Sequence, residues 1–265
     1  WRREIAESIR SLDALARRFP GMTITPDMQR AAAVFPMAVT PYYASLIRRP
    51  DFTDPVFAQC VPDGRELLQP SWLSSDPLDE ERCSPVPGLV HRYPDRALLV
   101  ATSACAAYCR HCTRKRVSST PDAAIDDHAL DACAAYLAEH PAIDDVLVSG
   151  GDPMLLDDDR LDRILAKIRS VPSVRAIRIA TRTLVTLPMR FTPDVAAMLR
   201  RHGPVFVNTH FNHPVELTPQ AIAAADLLTD AGVPVANQTV LLRGVNDSEA
   251  VVEALCRELY HHRIR

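Results

Sequence analysis

Glycine is scarce in this chain, with 8 residues in 265 against 22 prolines. So stiff a backbone makes each glycine informative, above all the adjacent Gly150 and Gly151. Long hydrophobic runs are missing. The longest, Ala97 to Tyr108, is interrupted by Thr102 and Ser103 and falls short of the ~18 apolar residues of a spanning helix. Charge of one sign is not in excess: Lys+Arg number 30 and Asp+Glu 33, a net charge of -3. That balance argues against a nucleic-acid binder working by bulk electrostatics. The first residues, WRREIAESIR, are too charged for a signal peptide. Seven cysteines, an odd number without a secretory signal, argue against a disulfide framework. A cytoplasmic protein with no membrane and no nucleic-acid partner is the expectation. Apolar residues at 47% and charged residues at 24% exclude a disordered chain. There is no internal repeat or low-complexity tract. The chain lacks an initiator Met and ends in HHRIR, so a piece of a longer protein is expected.

What is present divides near residue 95. Residues 1–95 read as an N-terminal helical and wrapping segment. Ile5, Ile9, Leu12, Leu15 and Phe19 have helical spacing across 2–19, ended by Pro20, and a second helix is expected from Thr25-Pro26. Residues 50–90, rich in Pro, Asp and Ser, read as irregular. From residue 96 strands and helices alternate. Strands are expected at 97–103, 145–151, 176–182, 205–211 and 234–242. Helices are expected at 121–139 (with Pro121 at its start), 157–170, 193–201, 218–231 and 247–260. Five βα units in a row imply an α/β fold with a parallel sheet covered by helices, either an open sheet or part of a barrel. In both, functional residues sit at the carboxyl ends of the strands.

The first of these strands runs into TSACAAYCRHCTRKR, with Cys105, Cys109 and Cys112 spaced C-x-x-x-C-x-x-C. Three thiolates on one loop can bind three irons of a [4Fe–4S] cluster and leave the fourth open to a small molecule. They could instead hold zinc with His111, or be three free thiols. The other cysteines are single: Cys133 falls on the apolar stripe of a helix, while Cys60, Cys83 and Cys256 have no metal-like spacing. SGGD (149–152) follows the second strand, where paired glycines permit close approach and an Asp can accept from an ammonium or cap a turn. HRYPDR supplies Arg92, Tyr93 and Arg96, a set suited to a phosphate or to an ordinary charged surface. Lys115 and Arg116 read as solvated charges. Asp247 reads as a helix N-cap.

The cysteine loop resembles that of the radical S-adenosylmethionine (SAM) superfamily. The whole chain is similar to its lysine 2,3-aminomutase family, through TPYY (40–43), Asp76-Pro77, SPVPGLVHRYPDR (84–96), VLVSGGDP (146–153), NTHFNHP (208–214), DAGVPVANQ (230–238) and VLLRGVND (240–247). The resemblance implies a partial (β/α) barrel over 96–265, truncated before the sixth strand. It implies a [4Fe–4S] cluster on the three cysteines. SAM would be held by His111, Ser149, Gly150, Gly151 and Asp152, and pyridoxal 5′-phosphate (PLP) by Arg92, Tyr93 and Arg96 through its phosphate. Arg114 would clamp the substrate α-carboxylate and Asp247 would pair with a lysine ammonium. His210, Asn212, His213, Asn237 and Gln238, near strand ends, would line the pocket or serve ordinary hydrogen bonding.

The implied activity is conversion of L-lysine to β-lysine by moving the amino group from C2 to C3. A low-potential flavodoxin or ferredoxin would supply the electron, and a homo-oligomer is expected. The family's PLP-binding lysine, in a Lys-Thr-Pro context, and its second substrate carboxylate are not in these 265 residues. No Schiff-base lysine is therefore assigned, and this stretch alone is expected to be incompetent for turnover. Ala225 stands where the family's structural zinc would want a cysteine. The rival readings are an aminomutase for arginine or glutamate, one that serves elongation factor P, a radical enzyme without PLP, and a zinc-stabilised binding module.

Overall fold

The computed structural model describes residues 1–68, 70, 71, 73–118 and 123–265. Its frame is one six-stranded sheet. The strands are β1 (Leu89–Tyr93), β2 (Arg96–Thr102), β3 (Asp145–Gly150), β4 (Ala176–Ala180), β5 (Val205–Thr209) and β6 (Val235–Asn237), ordered in the sheet as in the chain. β1 pairs antiparallel with β2 across the Pro94-Asp95 turn, and every later pair is parallel.

The strand order decides between the two architectures. Right-handed crossovers between successive neighbours place every helix on the same face, whereas an open doubly wound sheet reverses order at a switch point. No reversal occurs here, so the sheet is the wall of a partial α/β barrel. Burial agrees. Val146 and Val148 of β3, Ile177 and Ile179 of β4, and Val205 and Val207 of β5 are buried under the helices. Leu147, Arg178, Phe206 and Asn208, which alternate with them, are less covered on the concave face.

The helices behind the wall are Asp127–Glu139, Asp158–Arg169, Pro193–Arg201, Pro219–Asp230 and Glu249–His261. Each expected helix is present, with an oxygen at its N-cap (Asp126, Asp157, Thr192, Thr218 and Ser248) accepting from a backbone amide of the first turn. The first starts later than expected, because Asp126 caps it; Pro121 lies outside the described residues. β6 stops at Asn237, well short of residue 242.

β1 was not expected as a strand. Its HRY end is polar and Pro94 follows, but Leu89 and Val90 are buried and pair with Leu99 and Leu98. Residues 1–60 also differ in detail. The helix expected over 2–19 is two helices, Arg2–Ala6 and Leu12–Arg18, parted because Ile9 forms an antiparallel bridge with Val39. Helices Pro26–Val34, Pro41–Ala44 and Pro55–Cys60 start on proline with Thr25, Thr40 and Asp54 as caps. The third of these and a 3₁₀ turn at Gly64–Leu67 give the supposedly irregular stretch local order. Leu15, Tyr43, Val56 and Phe57 of this segment share one buried core with the barrel strands. Cys60 and Cys133 are buried in that core and Cys256 is exposed.

Candidate functional site

The carboxyl ends of the parallel strands open into a cavity of about 420 Å³. β2 ends in a register shift against β3 between Val100 and Thr102, and the cysteine loop leaves there. Cys105, Cys109 and Cys112 all line the cavity, with His111, Arg114, Ser149, Gly150, Gly151 and Asp152. Residues predicted from stretches far apart in the sequence thus meet around one space.

The cysteine loop is held from both sides. On the barrel side, Gly151 N donates to Thr102 O at 2.5 Å and Asp152 N to Ala104 O at 2.7 Å. On the other side, Tyr108 N donates to Ala38 O and Arg110 N to Gln59 O, each at 2.9 Å. The Arg110 guanidinium forks onto Glu66 with two 2.8 Å bonds, and Lys115 also pairs with Glu66. The sequence reading of Lys115 and Arg116 as solvated is corrected here: both are largely buried and ion-paired, Arg116 to Asp76 and Glu80.

The glycine pair is required by packing within the chain itself. Gly150 has φ +124, and a Cβ there would lie 2.3 Å from Thr102 O; a Cβ on Gly151 would lie 2.3 Å from Ala104 O. The close approach is to the cysteine loop's own backbone. Asp152 is buried and fully engaged by the chain. Its Oδ1 accepts from Thr181 Oγ1 at 2.7 Å and Met154 N at 3.1 Å, and its Oδ2 from Arg182 N at 2.8 Å and Thr183 N at 2.9 Å. Burial raises its carboxyl above the usual range even so. It fastens SGGD to the end of β4. Ser149 Oγ meets Arg114 Nη1 at 3.3 Å.

Burial, helped by Arg182 and His210, pushes the His111 imidazole down to about 3. Burial followed by Arg182 brings His210 to about 4. Both rings are neutral near pH 7. His210 and Gln238 line the cavity. Asn212, His213 and Asn237 instead hold loops: Asn212 Nδ2 donates to Gln59 Oε1, His213 Nδ1 accepts from Val215 N, and Asn237 grips Phe211 N and O.

Arg114 reaches the cavity, but with company the sequence did not reveal. Its Nη2 lies 2.7 Å from Oε1 of the buried Glu80, and its Nε 2.9 Å from the same oxygen. Arg114 and Leu78 also line a second cavity of about 150 Å³, where Arg92, Tyr93, Arg96 and Arg178 gather. Arg92 donates to Leu78 O, Arg96 forks onto Asp95, and Arg178 pairs with Asp145. Four arginines and a phenol on one small cavity fit the phosphate end of PLP. Asp247 is not brought to either cavity. It is exposed, and Ser248 rather than Asp247 caps the following helix. β6 ends ten residues before it, at Asn237.

Arg182, two residues past β4, is the residue the sequence reading missed. Nη1 donates to Cys109 Sγ at 2.9 Å, and Nη2 reaches Tyr43 Oη, Gln59 Oε1 and Glu216 Oε1 at 2.7, 2.6 and 2.8 Å. A cation at the carboxyl end of a barrel strand was the available signal. Its buried Nε has no hydrogen-bond partner among the described residues. Cys112 Sγ accepts from Arg114 N at 3.3 Å, and burial raises its thiol.

Among the described residues no three His, Cys, Asp or Glu stand around a single ion, so the geometry gives no support to a zinc knuckle on the cysteines and His111. A cubane cluster asks for another arrangement, in which each cysteine takes a different iron and the sulfurs ring a space. Three thiols lining one cavity, N–H donors aimed at two of them, and an orphaned arginine N–H beside them fit that group. Ala225 is buried in the core and offers no ligand.

Fold and site together define a partial α/β barrel whose working end is built around a three-thiol loop. Residues 99–255 match the Radical SAM superfamily, and the chain belongs to that family. It is 43% identical over its whole length to the L-lysine 2,3-aminomutase of Acetoanaerobium sticklandii, covering 64% of that protein. It is 47% identical to the L-lysine 2,3-aminomutase of Fusobacterium nucleatum, over 91% of this chain and 57% of the relative. It is also 41% identical to the glutamate 2,3-aminomutase of Clostridioides difficile, over 87% and 54%. The chain therefore spans less than two thirds of the length of these relatives. Among the described residues, no helix is long and apolar enough to cross a membrane.

Proposed function

We propose that this chain carries the centre of a SAM- and PLP-dependent radical aminomutase that moves the α-amino group of L-lysine from C2 to C3. The observation that carries the reading is the pair of adjoining cavities. One is lined by three cysteines and the SGGD turn, the other by Arg92, Tyr93, Arg96 and Arg178, and Arg114 and Leu78 line both. The similarity to aminomutases along the whole chain supports it.

When bound, a [4Fe–4S] cluster would supply one electron for reductive cleavage of SAM, and PLP would carry the migrating amino group. The chain's own residues supply position. Cys105, Cys109 and Cys112 would hold the cluster on a loop pinned at both faces. His111, His210 and Gln238, two of them neutral rings, would face the nucleoside. The SGGD backbone would meet the methionyl end of SAM, with Asp152 holding that turn against β4 instead of acting as a free acceptor. Arg92, Tyr93 and Arg96 would bind the PLP phosphate, with Arg178 beside them. Arg114 would receive the substrate carboxylate at the join of the cavities, where Glu80 must share it. Such fixed placement is what steers a reactive radical to one hydrogen. A low-potential flavodoxin or ferredoxin would deliver the electron.

The glutamate enzyme's similarity gives a second substrate a hearing, since the described lining shows no acid free to receive a lysine ammonium. The test is anaerobic reconstitution with iron and sulfide, then reduction by dithionite with SAM present. About four irons per chain and formation of 5′-deoxyadenosine are expected. The complete protein, supplied with PLP and offered lysine, arginine and glutamate separately, is expected to prefer lysine. Colourless protein with stoichiometric zinc, or a cluster that never cleaves SAM, would overturn the reading.

A further inference from the structure

Arg182 links three parts of the molecule that are far apart in sequence: the cysteine loop through Cys109, the N-terminal segment through Tyr43 and Gln59, and the turn after β5 through Glu216. All its side-chain partners except Cys109 are fully buried. Glu216 is gripped at both carboxylate oxygens. Its Oε1 accepts from Tyr43 Oη at 2.6 Å and Gln59 Nε2 at 3.2 Å, and its Oε2 from Asn212 N at 2.6 Å and His213 N at 3.1 Å. Every oxygen of that carboxylate is spoken for, so its position is fixed. The arginine is thus anchored on one nitrogen by three buried acceptors and presents the other to a cysteine sulfur.

We propose that Arg182 is a positioning residue for the metal centre: its Nη1–H fixes the Cys109 sulfur and makes the centre easier to reduce, while Glu216 sets how much of the cation's charge the centre feels. This rests on the reading that the three cysteines hold a [4Fe–4S] cluster. Reduction adds one negative charge to the cluster and its sulfurs. A donor hydrogen bond and a nearby cation stabilise the reduced form more than the oxidised one, and hydrogen bonds to the sulfurs are among the recognised controls of cluster potential. In a site with little water the effect is weakly screened. The buried carboxylate acts in the opposite sense. Removing the cation and removing the carboxylate should therefore displace the potential in opposite directions, which a general loosening of the site would not do.

The experiment poises the reconstituted protein at a series of potentials with Ti(III) citrate and reads the reduced cluster by electron paramagnetic resonance. Arg182→Gln should make reduction about tenfold less favourable, about 59 mV lower for one electron. Glu216→Gln should shift the potential upward. Arg182→Lys, which keeps the charge and a donor, should lie nearer the wild type than Arg182→Gln does. If Arg182→Gln fails to fold, Glu216→Gln remains decisive, because it leaves the arginine in place. Variants with full iron content and wild-type potentials, or shifts of the same sign for the two removals, would overturn the inference. A wild-type protein without a cluster would instead overturn the reading of the cysteines beneath it.

Discussion

The adjacent glycines allow a test in which three alanine substitutions separate spacing from conformation. At Gly151 an added Cβ would stand 2.3 Å from Ala104 O, 2.6 Å from Ser103 C and 2.7 Å from Ser103 O. Ordinary contact requires a retreat of about 1 Å by the cysteine loop backbone. That retreat strains the bonds from Gly151 N to Thr102 O and from Asp152 N to Ala104 O. Two hydrogen bonds at about 1 kcal/mol each and an overpacking cost of about 1–3 kcal/mol give about 3–5 kcal/mol for Gly151→Ala. Gly150→Ala meets a similar wall, 2.3 Å from Thr102 O, and must also adopt φ +124. The unfavourable backbone adds about 1–3 kcal/mol. Gly21 is the control: it has φ +97, but a Cβ there meets nothing within 4 Å. Gly21→Ala should cost about 1 kcal/mol, the conformational part alone. Urea unfolding followed by circular dichroism on the metal-free protein should rank the losses Gly21→Ala, Gly151→Ala, Gly150→Ala. At about 2–4 °C per kcal/mol, the Gly151 variant should melt about 6–20 °C early. A Gly151→Ala protein within 1 kcal/mol of the wild type would refute the argument that two backbones set this spacing.

Asp152→Asn replaces an acceptor of four hydrogen bonds with a group that must oppose a donor to at least one backbone N–H. A loss of about 1–3 kcal/mol in urea unfolding is expected, and a neutral result would contradict the assigned network. Glu66→Gln removes the carboxylate shared by Arg110 and Lys115 and should cost about 1–3 kcal/mol, with faster amide exchange at residues 109–112. Burial pushes the Glu66 carboxyl up, but Arg110 and Lys115 outweigh it and hold it below its ordinary 4.5. The stabilisation is therefore present above pH 4.5 and lost as pH falls through the lowered folded value, so the gap between wild type and Glu66→Gln should close in acid. A gap unchanged between pH 7 and pH 3 would show that the ion pairs do not supply it.

Much of the barrel was legible because its strands are short apolar runs, such as ALLVAT and AIRIA, each followed by a helix with an oxygen-bearing cap. β1 was hidden by its polar end and by Pro94. The break between the first two helices was hidden because Ile9 fits the helical stripe yet is claimed by Val39, a partner 30 residues away. The cysteines, SGGD and HRYPDR could be named from local spacing, and the structure brings them to two adjoining cavities. The network on Arg182 could not be named in that way. Its partners Tyr43, Gln59 and Glu216 stand 139, 123 and 34 residues away, and nothing in periodicity pairs a charge with a partner at such distances. Asp247 was named from its motif alone, and in the structure it is exposed, with Ser248 as the cap of the following helix.

The carbonyls of Ala38 and Gln59 that receive the amides of Tyr108 and Arg110 bear on whether the cysteine loop could be moved to another protein. The cysteine stretch is not a portable cassette. Grafting it onto a foreign barrel would transplant the thiols without the clamp supplied by residues 35–66, and a chimera would need both pieces to keep the three sulfurs around one space.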